Sequence, residues 1–252
     1  MNNEKYISLP IEIEKELFSH FKKNENLTIF DIGSCDGLDS VKYARMFPES
    51  TIYAFEPLSK NVDLIFSNLA EYTISNVNVV PIALSDKKGV EKFYVSSGNP
   101  EELKSSDWDY GNKSSSLLPP DKTTEVLDWL KFDQVEMVDT TTLFEYCQEQ
   151  KISLIDYIHM DVQGAELLVL KGAKSHISSI KMIWLEVENI SLYKDQPLKK
   201  DVESFMLKHG FTKIKDTVHH IAGDQLWVNL NYFPKKKLTH ILWKIYSKLL
   251  RK

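Results

Sequence analysis

The sequence predicts an α/β chain built on a doubly wound, mostly parallel sheet that closes in an antiparallel hairpin. Three observations carry this. Short apolar runs of strand length alternate with amphipathic helical stretches. Two strand-to-helix junctions, DIGSCDGLDS at 31–40 and HMDVQGAELLVLKGA at 159–173, share an acidic, glycine-punctuated turn. The last two runs, FTKIKDTV and DQLWVNLNYF, alternate with period two and have no helix between them.

Taken in order, PIEIEKELFSHFKK at 10–23 places apolar groups at 11, 13, 17, 18 and 21 and predicts a leading amphipathic helix. LTIFDI is a buried strand, and LDSVKYARMF is a helix stopped by Pro48. STIYAFEP is a strand cut off by Pro57, and SKNVDLIFSNLAEY is a helix. NVNVVPIAL reads as one strand, and GVEKFYVS after the turn SDKKG as another. Residues 96–122 are rich in Ser, Gly, Pro, Asn and Asp, with Trp108 and Tyr110 embedded. A loop of that length inside a domain is usually functional or disordered, and the aromatics favour a substrate loop. TEVLDWLKF is a short helix, DQVEMVDT a strand, and TTLFEYCQEQ a helix with threonine at its start. SLIDYIHMD is a strand, GAELLVLKGA a helix ending at Gly172, and KMIWLEVEN a buried strand. LKKDVESFMLKHG is a helix with Gly210 as its stop. The chain divides into one domain over 1–234, with a helical cap at 1–26 and a substrate-side insertion at 96–132, and a basic amphipathic segment at 235–252.

With 252 residues, 42% of them hydrophobic, the chain can bury one sizeable core. Cys35 and Cys147 are too few for a disulfide framework and lack metal-ligand spacing, which predicts a reduced compartment. The polar N-terminal stretch carries no signal core, and no apolar run approaches the ~20 residues of a membrane span. Cytoplasmic placement is expected. Residues 235–252 hold seven Lys/Arg and no Asp/Glu, while the other 234 carry 24 basic against 36 acidic groups. So acidic a body is a poor nucleic-acid binder.

The first junction reads as a cofactor wall, because ligands of open α/β sheets bind outside the carboxyl ends of the strands. Asp31 ends its strand. Gly33 and Gly37, flanking Ser34 and Asp36, permit a tight turn and close approach of a ligand to the backbone. Glu56 ends the next strand, where a carboxylate can take both hydroxyls of a ribose. A dinucleotide turn wants G-x-G-x-x-G, and here Cys35 stands at the middle glycine with Asp36 beside it. An acidic rim repels a pyrophosphate and attracts the sulfonium and ammonium of S-adenosylmethionine. The plainer alternative is that Asp31 and Gly33 merely end a strand.

Together, DIGSCDG, AFEPLSKN with Pro57 and Asn61, IALSDKKG, SSSLL at 114–118, IDYIHMDVQGAELLVLKGA at 155–173, LEVENISLYKDQP and GDQLWVN resemble the FkbM family of S-adenosylmethionine-dependent methyltransferases. The resemblance implies a class I methyltransferase fold with a seven-stranded sheet and methyl transfer, usually to an oxygen, often on sugars, glycan chains or secondary metabolites. It implies that Asp31, Gly33 and Gly37 hold the methionine part of the cofactor, Glu56 the ribose and the backbone around Ala83 the adenine. It also places Asp161 at the cofactor–substrate junction, with Gln163 and Glu166 beside it. Three positions depart from the family pattern. Cys35 and Asp36 stand where small or amide residues are common, and His159 stands where a lysine is frequent, so that lysine's role does not carry over.

The second junction reads as a chemistry wall. A sugar hydroxyl is a weak acid, so transfer to it gains from a nearby base. Asp161 follows an apolar strand into an open turn and is the first choice; its alternative role is capping the 164–171 helix. His159, two residues earlier, shares a sheet face with it and is either a base or, as the setting favours, a histidine packed under a helix. His219 and His220, before the last strand, are either bases reaching the cleft or surface loop residues. Asp161, Glu186, Glu188 and a histidine can gather a divalent ion, but no compact ligand motif supports a metal. Trp108, Tyr110 and Ser114–Ser116, with Ser115 and Ser116 as the hydroxyl contacts, suit a saccharide lid as well as an ordinary loop anchored by Trp108, and Tyr193 is similarly placed.

In 235–252, Leu238, Ile241, Leu242, Ile245 and Leu249 line one side of a helix and Lys237, His240, Lys244, Lys248 and Arg251 the other. That pattern suits an anionic membrane surface, with a helix docked on the domain or a dimer contact as alternatives. The resulting expectation is an O-methyltransferase for a sugar hydroxyl of a bacterial surface glycan or lipid-linked saccharide, at the inner face of the cell membrane. The competing classes are a nicotinamide-dependent oxidoreductase and a non-catalytic membrane-associated module with a methyltransferase fold. Oligomeric state is not legible.

Overall fold

The computed structural model describes residues 3–103 and 109–233 of the chain. Trp108 and the segment 235–252 lie outside the described residues. Two short helices, α1 (Asn3–Ser8) and α2 (Glu14–Phe18), lead into β1 (Thr28–Ile32), α3 (Leu38–Met46), β2 (Thr51–Phe55), α4 (Ser59–Glu71), β3 (Val77–Val80), β4 (Ala83–Ser85) and β5 (Gly89–Ser97). After two 3-10 turns come α5 (Thr123–Val126), β6 (Lys131–Thr142), α6 (Leu143–Glu149), β7 (Ile155–Met160) and α7 (Glu166–Gly172). The chain continues through β8 (Ile180–Glu188), α8 (Lys199–Lys208), β9 (Phe211–Asp216) and β10 (Ala222–Asn229).

Seven strands form the main sheet in the order β3-β2-β1-β7-β8-β10-β9. Neighbours are parallel from β3 to β8, and β10 runs antiparallel to both β8 and β9. This is the doubly wound sheet with a terminal hairpin that the element order predicts. Strand alternation sends Phe30, Ile32, Ile158, Met160, Ile183 and Leu185 to one face, against Leu143, Leu167, Leu170 and Met206 of α6, α7 and α8. Ile29, Tyr157, Met182, Trp184 and Leu226 point to the other, against Leu17 and Tyr43 of α2 and α3. The order turns back at β1 and β7, so their carboxyl ends open a crevice where a ligand can enter.

Several elements differ from the sequence expectation. The leading helix shrinks to Glu14–Phe18, although Ile13, Leu17 and Phe21 are buried at helical spacing. Pro81 splits NVNVVPIAL, since it has no N–H for a ladder. β3 stays in the main sheet, and β4 joins a second, three-stranded sheet ordered β4-β6-β5. β6 runs twelve residues and consumes the end of the expected TEVLDWLKF helix, because Lys131–Thr140 pair with β5. That small sheet packs Ala83, Phe93, Val95 and Val138 against Leu58 and so forms one flank of the crevice. Among the described residues no helix is long and apolar enough to cross a membrane.

Gly172 ends α7 as expected, and packing adds a second requirement for glycine there. A Cβ at this position would lie 2.1 Å from the Ser85 carbonyl oxygen of β4. Gly172→Ala is therefore expected to cost about 1–3 kcal/mol and lower the melting temperature by roughly 2–12 °C. Gly89→Ala, where a Cβ meets nothing within 4 Å, is the control and should melt as wild type.

Candidate active site

At the mouth of the crevice the turns after β1 and β7 touch. Asp161 N–H donates to the Ile32 carbonyl at 3.0 Å. Gly33 has φ +84° and passes so close that a Cβ on it would sit 1.9 Å from the Asp161 carbonyl oxygen. Only glycine fits there. Gly33 and Ser34 N–H both donate to the Phe55 carbonyl at 3.0 Å, which ties the turn to the end of β2.

Glu56, buried at that end, clamps the turn from the other side. Its Oε2 accepts from Cys35 N–H at 3.0 Å and its Oε1 from Leu58 N–H at 2.9 Å. Burial pushes its pKa up to about 7, against the Leu58 N–H, the Asn61 amide and the Cys35 N–H, which favour the charged form. The cavity beside it is a narrow slot of about 50 Å³. Gly33, Cys35, Glu56, Pro57 and Asn61 form its polar rim, and Ile82, Ala83, Leu84, Phe93 and Leu117 its apolar wall. Asp161 closes the end nearest β7.

Asp31, Ser34, Asp36 and Gly37 stand behind this rim. Asp31 Oδ2 accepts from Ser40 Oγ at 2.5 Å, and Oδ1 lies 2.9 Å from His159 Nδ1. Burial opposes a charge on His159, but the Asp31 hydrogen bond and carboxylate, helped by Asp39 and Asp161, raise its pKa to about 9. His159 is thus a cation paired with Asp31 at neutral pH, packed edge-on against Tyr43 of α3. Ser34 Oγ donates to the Phe55 carbonyl, and Asp36 Oδ1 accepts from Leu38 N–H at the start of α3. Gly37, φ +75°, is the N-cap of α3.

The same sheet face continues into a row of carboxylates. Asp31 pairs with His159 and His159 with Trp184, so two residues on the row reads Asp161, Glu186 and Asp224. Gln163, held at φ +54°, spans it: its Nε2 donates to Asp161 Oδ1 at 2.7 Å and to Glu186 Oε2 at 2.9 Å. Tyr193 O–H reaches Gln163 Oε1 at 3.1 Å and the Ser114 carbonyl at 2.7 Å, and Ser116 Oγ donates to the Gln163 carbonyl at 2.8 Å. Burial, then the neighbouring acids, push Glu186 well above its ordinary range, Glu188 to about 7 and Asp224 to about 6. Carboxylates this close cannot all ionise, so near neutrality the row holds proton donors as well as acceptors. Among the described residues no group of His, Cys, Asp or Glu is arranged to hold a metal.

Asp161 does not cap α7. Glu166 braces the turn that precedes the helix, with Oε1 accepting from Val162 and Gly164 N–H at 3.0 and 3.3 Å, while the N-cap Ala165 carries no side-chain cap. His219 and His220 are exposed in the β9–β10 turn and line no part of the cavity. Tyr110 begins the second 3-10 turn, its N–H donating to Asn99 Oδ1, while Ser115 lines the cavity wall. Among the polar lining residues, the motif reading missed Cys35, Asn112 and Lys113. Burial opposes a charge on Lys113, but Asp36, Cys35, Asp39 and Asp161 outweigh it and hold the ammonium above its ordinary range. Asn112 and Lys113 lie in the loop just before SSSLL, so proximity to that motif was the available signal.

These residues fit S-adenosylmethionine. A glycine cradle, a buried carboxylate at the end of the second strand, a slot with one apolar side and acids around a cationic centre match its parts. Fold and site define a class I S-adenosylmethionine-dependent methyltransferase. A family model described as the methyltransferase FkbM domain matches residues 31–213, and the chain belongs to that family. It is 27% identical over 220 residues to the 2-O-methyltransferase NoeI of Sinorhizobium fredii, covering 87% of this chain and 86% of that protein. It is also 27% identical to methyltransferase sdnD of Sordaria araneosa, covering 81% and 83%. The solved structure of precorrin-6y C5,15-methyltransferase from Geobacter metallireducens aligns with a TM-score of 0.44 at 16% identity, covering 89% and 91%.

The shifted groups set a pH dependence. A histidine whose folded pKa is raised stabilises fully below its unfolded value, near 6.5, and loses that stabilisation as pH rises through about 9. Raised carboxyls act in the lower window, where stability falls from the unfolded carboxylate range up to about 7 as Glu56, Glu188 and Asp224 ionise. The melting temperature is therefore expected to fall from pH 5 to pH 9. In His159→Gln the step above pH 7, worth roughly 2–3 kcal/mol, should be absent. A wild-type melting temperature that is flat or rising over this range contradicts the assignment.

Proposed function

We propose that the protein methylates a hydroxyl oxygen of a carbohydrate, with Asp161 as the base. The observation that carries this reading is the double position of Asp161, on the wall of the cofactor cavity and at the head of the carboxyl row. A row that both donates and accepts hydrogen bonds suits a ligand covered in hydroxyls. The relative named as a 2-O-methyltransferase supports oxygen as the atom that receives the methyl.

When bound, S-adenosylmethionine supplies a methyl group already activated on a cationic sulfur. Gly33, Glu56, Asn61 and the backbone around Ala83 would hold it. What remains for the protein is orientation, exclusion of water and removal of one proton. Gln163 fixes the Asp161 carboxyl by one oxygen and leaves the other to accept the acceptor's hydroxyl proton. Glu186 and Glu188, at the same cleft, orient the sugar's other hydroxyls. Tyr193 and Ser116 keep the Gln163 turn in its left-handed conformation and so keep Asp161 aimed. The basic amphipathic segment 235–252 supports placing the acceptor on a lipid carrier at a membrane surface.

The test is transfer of labelled methyl to oligosaccharides, free and lipid-linked in anionic vesicles. Asp161→Asn is expected to lower kcat by about 10²–10⁴ while S-adenosylhomocysteine binds within a fewfold of wild type. An active Asp161→Asn enzyme removes Asp161 as base, and label on nitrogen or carbon removes oxygen as acceptor. Equal rates for the full chain and one lacking 235–252 on the lipid-linked saccharide remove the lipid carrier.

A further inference from the structure

Asn112 belongs to no motif in the sequence, yet it is 5% exposed and lines the cofactor cavity. Its backbone is pinned. Asp109 Oδ1 accepts from both Gly98 and Gly111 N–H, and Ser96 Oγ donates to the Gly111 carbonyl at 2.5 Å. Gly111 itself runs against β5 so tightly that a Cβ would lie 2.3 Å from the Ser97 carbonyl carbon. The Asn112 side chain is therefore delivered to one place.

Its sense is set as well. The Asn61 amide favours the charged form of Glu56, which only accepts, so its Nδ2 faces Glu56 and its Oδ1 faces Asn112. Asn112 meets that Oδ1 with Nδ2 at 2.7 Å, and the same nitrogen lies 3.6 Å from Cys35 Sγ. The relay Glu56–Asn61–Asn112 leaves Asn112 Oδ1 buried with no partner among the described residues. A buried amide oxygen without a donor is costly, and a residue held this firmly cannot relieve it by turning.

We infer that Asn112 Oδ1 accepts a hydrogen bond from an N–H or O–H of the nucleoside half of the bound methyl donor, which makes Asn112 a cofactor-selecting residue contributed by the insertion. The inference rests on the methyltransferase reading. Two groups on the ligand have this chemistry, the amine of the base and the ribose hydroxyls. The relay starts at the carboxylate expected to hold the ribose, and the apolar wall of Ala83, Phe93 and Leu117 receives the base beside it.

The experiment is a cycle of calorimetric titrations. The ligands are S-adenosylhomocysteine, its analogue with oxygen in place of the 6-amine, and its 2′- and 3′-deoxy analogues. The proteins are wild type, Asn112→Ala and Asn112→Asp. Asn112→Ala should bind S-adenosylhomocysteine about tenfold more weakly. One analogue should lose about tenfold on wild type and nothing further on Asn112→Ala, which names the donor group. Asn112→Asp keeps an oxygen but cannot donate to Asn61; it should retain discrimination against that analogue, and it serves in place of Asn112→Ala if the latter does not fold. Analogue losses that add to the Asn112→Ala loss overturn the inference. So does loss of discrimination in both variants, which would assign Asn112 to holding Asn61. Failure of wild type to bind S-adenosylhomocysteine at all is a separate result, since it removes the methyltransferase reading and the inference with it.

Discussion

A glycine Cα and a carbonyl oxygen set the geometry of this molecule. Where Gly33 passes Asp161 there is no room for a β-carbon, and one residue back Asp161 N–H is bonded to Ile32. The turn that frames the cofactor cavity and the turn that carries the proposed base are thus one piece of backbone. Glu56 tightens it from β2 by holding Cys35 and Leu58 N–H, and Gln163 tightens it from β7 by tying Asp161 to Glu186. Moving either wall moves the other. A reaction whose demand is alignment of two bound molecules is served by such a joint.

Charge is arranged around the same joint. Behind the rim, Asp31 and His159 form a buried pair within the sheet, so Asp31 acts on the site by holding structure. In front, beside Asp161, the carboxyls of Glu186, Glu188 and Asp224 hold their protons above the usual carboxylate range. Glu56 lies on the far side with a raised pKa of its own. Lys113 enters from the insertion and is drawn to Asp36, Asp39 and Asp161. A cationic methyl donor meets the carboxyls of Glu56 and Asp161 in a largely apolar cavity.

What could be read from the sequence was local. Asp31, Gly33, Glu56 and Asp161 sit at strand ends, and strand–turn–helix grammar marks strand ends within ten residues. The doubly wound, mostly parallel sheet followed from alternation of elements, and the closing hairpin from two period-two runs without a helix between them. What was hidden depends on contacts distant in sequence. Pro81 hands the chain from one sheet to another, and β6 extends because β5 pairs with it. Asn112 reaches Asn61 across 51 positions, and no local pattern announces that contact. His159 was readable as a packed residue, but its charge required knowing that Asp31 stands beside it on the neighbouring strand.

The central claim is that the cavity held between Gly33, Glu56 and Asp161 takes S-adenosylmethionine. Calorimetric titration of the purified chain with S-adenosylhomocysteine, and with NAD and NADP in parallel, on wild type and Glu56→Ala, tests it most directly. Binding of S-adenosylhomocysteine alone, weakened about tenfold or more in Glu56→Ala, is the expected result. Tighter binding of a dinucleotide, or binding of S-adenosylhomocysteine that Glu56→Ala leaves unchanged, would contradict it.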